Sequence, residues 1–245
     1  QSYPNYLGVL DIKRSLESRQ TVYDKQYKFE TRLGKELFLA SHSVYVLDSL
    51  NLMMTKDPLR SGVKKDNNFF WEFYNTDKDI ITQGLNYEDF TYINSFLKES
   101  YRSLKPDRSK VALFYRFFDM VSIADLKSGN VVQIIPEGKS INSSTVKDID
   151  SRSLYYKMGK CTDDYIFGLY AGELSVLKEN DSSFNGNCSL RVYDWDGNLL
   201  YNYQFGDNIR MFAVDENQKF LYAVTDSDSI IRYDLKNVSS SITPL

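Results

Sequence analysis

Histidine is all but missing from this chain. His42 is the only one among 245 residues, so a Ser-His-Asp relay or a multi-histidine metal site would have to be built on it. It lies in Ser41-His42-Ser43 between two short apolar segments, where an exposed turn residue is expected. Cysteine is scarce as well: Cys161 and Cys188 allow one intramolecular disulfide or two free thiols, and no C-x-x-C spacing signals zinc or thioredoxin-like chemistry. No Gly-rich phosphate loop is present. No apolar run reaches the roughly 18 residues that a membrane helix needs, and no basic-then-apolar leader opens the chain. It starts at Gln1 instead of Met, which raises the expectation of a trimmed leader and leaves export open. Neither sign of charge is in excess: 30 Lys and Arg against 33 Asp and Glu, interspersed, give a net charge of -3 and no basic footprint for nucleic acid or an anionic membrane.

What the chain has in quantity is aromatic residues. Its 19 Tyr and 15 Phe favour the pleated, half-buried surface of a strand, and 42% hydrophobic residues place it among globular proteins. At 245 residues, one all-β domain over residues 1–245 is the expectation. The stretch RVYDWDGNLLYNYQ (191–204) shows the pattern: apolar runs at 190–193 and 199–203 flank Asp196-Gly197, a dipeptide suited to the positive φ of a two-residue hairpin. Pairing outward from that turn sets Tyr193 opposite Leu200 and Val192 opposite Tyr201, so both faces carry bulky apolar groups and both must be covered.

The phrase recurs. Three short runs fill 209–235, three more fall at 111–118, 121–126 and 131–135, and two at 36–40 and 44–47. Asp48, Asp125, Asp194 and Asp234, each read as ending a third strand, are 77, 69 and 40 residues apart. With two units in each of the first two gaps the mean period is about 37. Sheets at such a period, apolar on both faces, predict a β-propeller of four-stranded antiparallel blades, six in number, with five or seven as alternatives. Residues 87–106 admit two readings. Phe90, Ile93, Leu97 and Leu104 have helical spacing, whereas strands at 90–96 and 99–104 with a turn at 105–108 fit Pro106 equally.

The succession of GLNYEDF (84–90), SLKPDRSKVALFYRFFDMVSIADLKSGN (103–130), DDYIFGLYAG (163–172), RVYDWDGNLLYNY and FAVDENQKFLYAV resembles the TolB-like six-bladed β-propeller proteins over about residues 84–235. The resemblance implies an exported chain, in the periplasm or at the outer membrane as an envelope lipoprotein, with any lipid anchor outside this sequence. It implies no catalytic residues and no cofactor.

Asp194-Trp195-Asp196-Gly197 fails as an EF-hand calcium loop, because positions 5, 6 and 12 counted from Asp194 are Asn198, Leu199 and Phe205. A turn is the reading, with Trp195 at the blade rim; no metal site is expected. In an antiparallel blade the one-to-two and three-to-four turns share an end, and these are short. The other end carries the longer connections at 116–120, 136–145, 171–188, 205–208 and 225–229, and residues there are the candidates for binding. They are Arg116, Phe117, Phe118, Glu173, Asp207, Arg210, Asp226 and Asp228. The expected function is non-catalytic binding of an envelope protein or a saccharide by a monomer. The alternative is a carbohydrate-active hydrolase using two carboxylates on the same face.

Overall fold

The computed structural model describes residues 6–28, 44–48, 50–56, 69–75, 77, 78, 80–87, 100–137, 153–175, 188–215, 217 and 219–235. The chain clusters into two compact units, Gln1–Thr91 and Tyr92–Leu245. The expectations placed on 36–40, His42, 88–99, 138–145 and 176–187 lie outside the described residues.

In the first unit, β1 (Tyr6–Leu10) and β2 (Tyr23–Lys28) form an antiparallel ribbon joined through helix α1 (Ile12–Ser18). Asp11 caps that helix by accepting the Arg14 N–H at 2.9 Å. A four-stranded antiparallel sheet follows: β3 (Val44–Val46), β4 (Asn51–Lys56), β5 (Phe69–Asn75) and β6 (Ile80–Tyr87), in that order. Leu52 and Met53 are consecutive, point to opposite faces and are both buried, so this sheet is covered on both sides.

Among the described residues the second unit has three sheets in which chain order is spatial order. The first runs β7 (Ser100–Leu104), β8 (Lys110–Tyr115), β9 (Val121–Asp125), β10 (Val131–Ile134). The next runs β11 (Ser153–Cys161), β12 (Tyr165–Ser175), β13 (Ser189–Asp194), β14 (Leu199–Gln204). The last runs β15 (Ile209–Val214), β16 (Phe220–Thr225), β17 (Ile230–Asp234). Residues 111–115 and 189–193 are buried without a break, as a strand between two covering layers requires. Ala112, Phe114, Val121 and Ile123 of the first sheet pack against Tyr156, Ile166 and Tyr193 of the second. On the other face of the second sheet, Phe167, Leu169, Leu190 and Val192 meet Ile209, Phe212, Leu221 and Ala223 of the third. Consecutive residues of β12, Ile166 and Phe167, thus serve different interfaces, and each fully buried side chain of this size contributes about 1.5–3 kcal/mol. The stacking of two-faced sheets expected from the sequence is what the second unit contains.

The spacing of the sheets departs from the even period expected. Asp125, Asp194 and Asp234 do end third strands, but Asp48 follows β3, the first strand of its sheet. From Asp125 to Asp194 the chain advances by one sheet, not two, because 135–152 and 176–187 lengthen that step. Between Val44 and Asp234 the described strands therefore make four sheets. Other local expectations shift too. Residues 100–104 form a strand, as in the second of the two readings, and β8 ends at Tyr115, so Phe117 and Phe118 belong to the following turn. β12 runs on to Ser175, which puts Glu173 on a strand instead of a loop.

The hairpin of residues 191–204 has a longer turn than two residues. Val192 faces Tyr201 as expected, but a bulge brings Tyr193 opposite Leu199. Gly197 takes φ +94°, and Asp194 Oδ1 accepts the N–H groups of Asp196 (3.0 Å) and Asn198 (2.8 Å) while Oδ2 accepts the Asn198 amide at 2.8 Å. The acidic knot is a turn whose carboxylate is engaged by the turn itself. Trp195 is buried there, its indole N–H donating to the Thr162 carbonyl at 3.2 Å.

Asp48, Asp107, Asp125 and Asp215 hold their turns in the same way. At Asp107 the Lys105 side chain, then the Ser109 hydroxyl and amide, keep the carboxyl down at about 2. Its support of the turn is complete above the ordinary carboxylate pKa and is lost as pH falls through that lower value. A carboxyl-carbon NMR titration should give Asp107 a midpoint of about 2; a midpoint at the model-peptide value of 3.8 would show the turn to be open.

Candidate functional site

Antiparallel order divides the turns of the second unit between two ends. Turns 105–109, 126–130, 162–164, 195–198 and 215–219 share one end; 116–120, 205–208 and 226–229 share the other. Contacts between sheets respect the division. At the first end, Lys110 Nζ donates to the Trp195 carbonyl at 3.4 Å and Cys161 Sγ to the Ser103 carbonyl at 3.5 Å. At the second, the Tyr155 N–H donates to the Arg116 carbonyl at 2.8 Å and Cys188 Sγ to the Asp207 carbonyl at 3.5 Å. Both cysteines are free thiols, and burial pushes their pKa values up, that of Cys161 to about 12.

Four of the eight candidate residues come together on the connection into β15, the start of β15 and the turn after β16. Arg210 Nη2 lies 2.5 Å from Asp228 Oδ1, both side chains being well exposed. Asn208 links two neighbours, donating from Nδ2 to Asp226 and accepting from Lys157 Nζ at 3.0 Å. Asp207 accepts the Tyr233 hydroxyl at 2.9 Å. Asp228 adopts a left-handed φ of 58°, a conformation that Asp tolerates better than most residues. Exposed ion pairs are worth about 0–1 kcal/mol, so this cluster does little for stability. What it offers is a set of donors and acceptors pinned in place by one another.

The other four candidates lie elsewhere. Arg116 is half-buried, with its guanidinium 5.5 Å from the Phe117 ring centroid. Phe117 and Phe118 are buried instead of exposed on a loop, Phe118 standing edge-on to Tyr115 at 6.3 Å, so these rings are packed inward. Glu173 is a β12 residue whose side chain is outside the described set.

A second polar cluster escaped the sequence reading. Asp119 and Arg191, 7% and 8% exposed, form an ion pair at 2.7 Å between the 116–120 turn and β13. Tyr170 donates to the other Asp119 oxygen at 2.9 Å, and its ring lies under the guanidinium with 3.4 Å from Cζ to centroid. Arg191 Nη1 also donates to Tyr156 Oη at 3.2 Å, which is 2.9 Å from Tyr193 Oη. Burial pushes the Tyr156 and Tyr193 phenols up, as it does, together with the Asp119 charge, for Tyr170; all three are neutral hydroxyls at physiological pH. One signal was available. Alternation puts Arg191 on the face of Tyr193 in a strand whose two faces are both covered, and a charge there demands a buried partner.

Among the described residues no group of His, Cys, Asp or Glu has the geometry to hold a metal ion, and no helix is long and apolar enough to cross a membrane. The family model described as TolB-like 6-blade propeller-like matches residues 46–217, well over half of the chain. The chain belongs to the TolB-like propeller family. Among solved structures, this TolB-like chain is similar to a member of the DUF4221 family from Bacteroides vulgatus, with TM-score 0.53 and 12% identity, covering 88% of this chain and 69% of that one. It is also similar to the WD40 domain of Toxoplasma gondii coronin, with TM-score 0.48 and 12% identity over 90% of this chain. The chain spans about half of that coronin chain, 47%. No curated protein matches it. At such identities the Bacteroides likeness speaks for the fold alone.

Proposed function

We propose that this TolB-like chain is a non-catalytic, exported propeller that binds an envelope protein through the end of the sheets bearing 205–208 and 226–229. The cluster of Asp207, Asn208, Arg210, Asp226 and Asp228 carries the reading. Beside it, Met211, Val224 and Ile230 form a row across β15, β16 and β17, with Met211 47% and Ile230 76% exposed. An apolar row edged by mutually held charges has the make-up of a protein interface, with an apolar centre and a polar rim. A saccharide is the other ligand class such amides and carboxylates can serve. Hydrolysis is less well supported: Asp226 and Asp228 are exposed and engaged by Asn208 and Arg210, whereas a glycosidase acid is tuned by an apolar pocket.

The test is cross-linking mass spectrometry of the immobilised protein in envelope extract, run beside a glycan array. Cross-links to a partner protein should fall on 205–210 and 226–230, and the double variant Arg210→Glu, Asp226→Lys should reduce its capture by about tenfold or more, because reversing both charges sets like charges against those of the partner. Capture that this variant leaves unchanged, or binding on the glycan array alone, would overturn the proposal.

A further inference from the structure

We propose that Arg191 and Asp119 form a latch through which the β11–β14 sheet sets the conformation of the 116–120 turn on the neighbouring sheet. The turn, Arg116-Phe117-Phe118-Asp119-Met120, contains no glycine or proline to bias its backbone. Within it the Met120 N–H reaches back to the Phe118 carbonyl at 2.8 Å, and the Tyr115 N–H meets the Met120 carbonyl at 3.2 Å. Three consecutive strands of the other sheet bond to it as well. β11 contributes the Tyr155 N–H to the Arg116 carbonyl at 2.8 Å, β12 the Tyr170 hydroxyl and β13 the Arg191 guanidinium, so that each Asp119 oxygen is bonded from across the interface.

The arrangement is not what stability alone would select. Removing two charges from water costs several kcal/mol per ion, and apolar residues of like volume often serve as well or better. Arg191 Nε, moreover, is buried without a hydrogen-bond partner. What an ion pair adds over an apolar contact is direction, since a carboxylate bridging a guanidinium and a phenol fits in one orientation. The opposing position on β12 is Gly168, which leaves room beside Arg191 for the Tyr156 and Phe114 rings. The latch therefore makes Arg191 and Asp119 positioning residues for one turn at the same end of the sheets as the proposed binding cluster. It stands whether or not that end binds a partner.

Hydrogen exchange read residue by residue tests this. In the double variant Arg191→Met, Asp119→Leu, the amides of Met120 and Tyr155 should exchange about tenfold faster or more, while those of Leu169 and Val192 keep wild-type protection. Turn amides that exchange at wild-type rates in this folded variant would overturn the latch, and so would equal loss of protection throughout both sheets. If the double variant does not fold, Tyr170→Phe removes one Asp119 bond without unpairing the charges. It should speed exchange at Met120 selectively, and no change there would equally overturn the proposal. A third arm separates the latch from simple loss of packing. In Arg191→Ala, added methylguanidinium should restore protection at Met120, whereas methylammonium, which lacks the planar fork, should not; equal effects of the two would count against an oriented pair.

Discussion

Replacing Gly159 with alanine should lower the thermal midpoint by about 6–12 °C, corresponding to a loss of roughly 3 kcal/mol for a chain of this size. Gly159 of β11 and Gly168 of β12 are register partners, and the Phe114 ring from β8 lies against the pad they make. A Cβ at Gly159 would come within 1.9 Å of a Phe114 ring carbon. That ring cannot swing aside, since it is fully buried with its centroid 5.9 Å from that of Tyr156. The neighbouring sheets would have to separate. Gly168→Ala meets Tyr156 at 2.9 Å and Phe114 at 3.0 Å, so a smaller loss is expected there. Gly206→Ala is the control, with nothing within 4 Å of its Cβ and no positive φ, and should leave stability within about 0.5 kcal/mol. Differential scanning calorimetry of the three variants decides the order.

The second large effect concerns the buried pair. Asp119→Ala strands the Arg191 guanidinium in a site that excludes water and should cost about 3–5 kcal/mol in urea denaturation. The combined Arg191→Met, Asp119→Leu variant should recover most of that loss, because removing both charges removes the desolvation penalty with them. The coupling in this double-mutant cycle is the signature of a buried pair, and raising the salt concentration should leave it nearly unchanged. Arg210 and Asp228 provide the contrast: their exposed pair should yield a coupling of at most about 1 kcal/mol that fades with salt.

Several of these features were readable before any coordinates. The uninterrupted apolar and aromatic run at 111–115 declares a strand covered on both faces, and it is so covered. Asp194 and its counterparts read as turn residues because a short carboxylate reaches the amides two to four positions on. The same chemistry misled the counting. Aspartate favours the one-to-two turn and the three-to-four turn alike, so Asp48 and Asp125 look equivalent in sequence while ending different strands of their sheets. Loop length is physically cheap, since each doubling costs only about 0.6 kcal/mol, and long connections around β11 could therefore stretch one step to the length of two. At the candidate site, exposed loop acids such as Asp226 and Asp228 followed from topology. The burial of Phe117 and Phe118 did not, because a tight turn can direct adjacent rings inward. Arg191 was hidden because one-dimensional alternation records which face a residue takes, and only the adjoining sheet reveals that Asp119 waits on that face.

The account rests on sheets of the second unit lying face to face, with the Phe114 ring seated on the glycine pair. The most direct measurement is a nuclear Overhauser spectrum of a deuterated sample carrying protons only on phenylalanine rings and glycines. Strong cross-peaks from the Phe114 ring to the Hα protons of both Gly159 and Gly168 are the predicted result. A spectrum with the Phe114 ring assigned and neither cross-peak present would contradict the account.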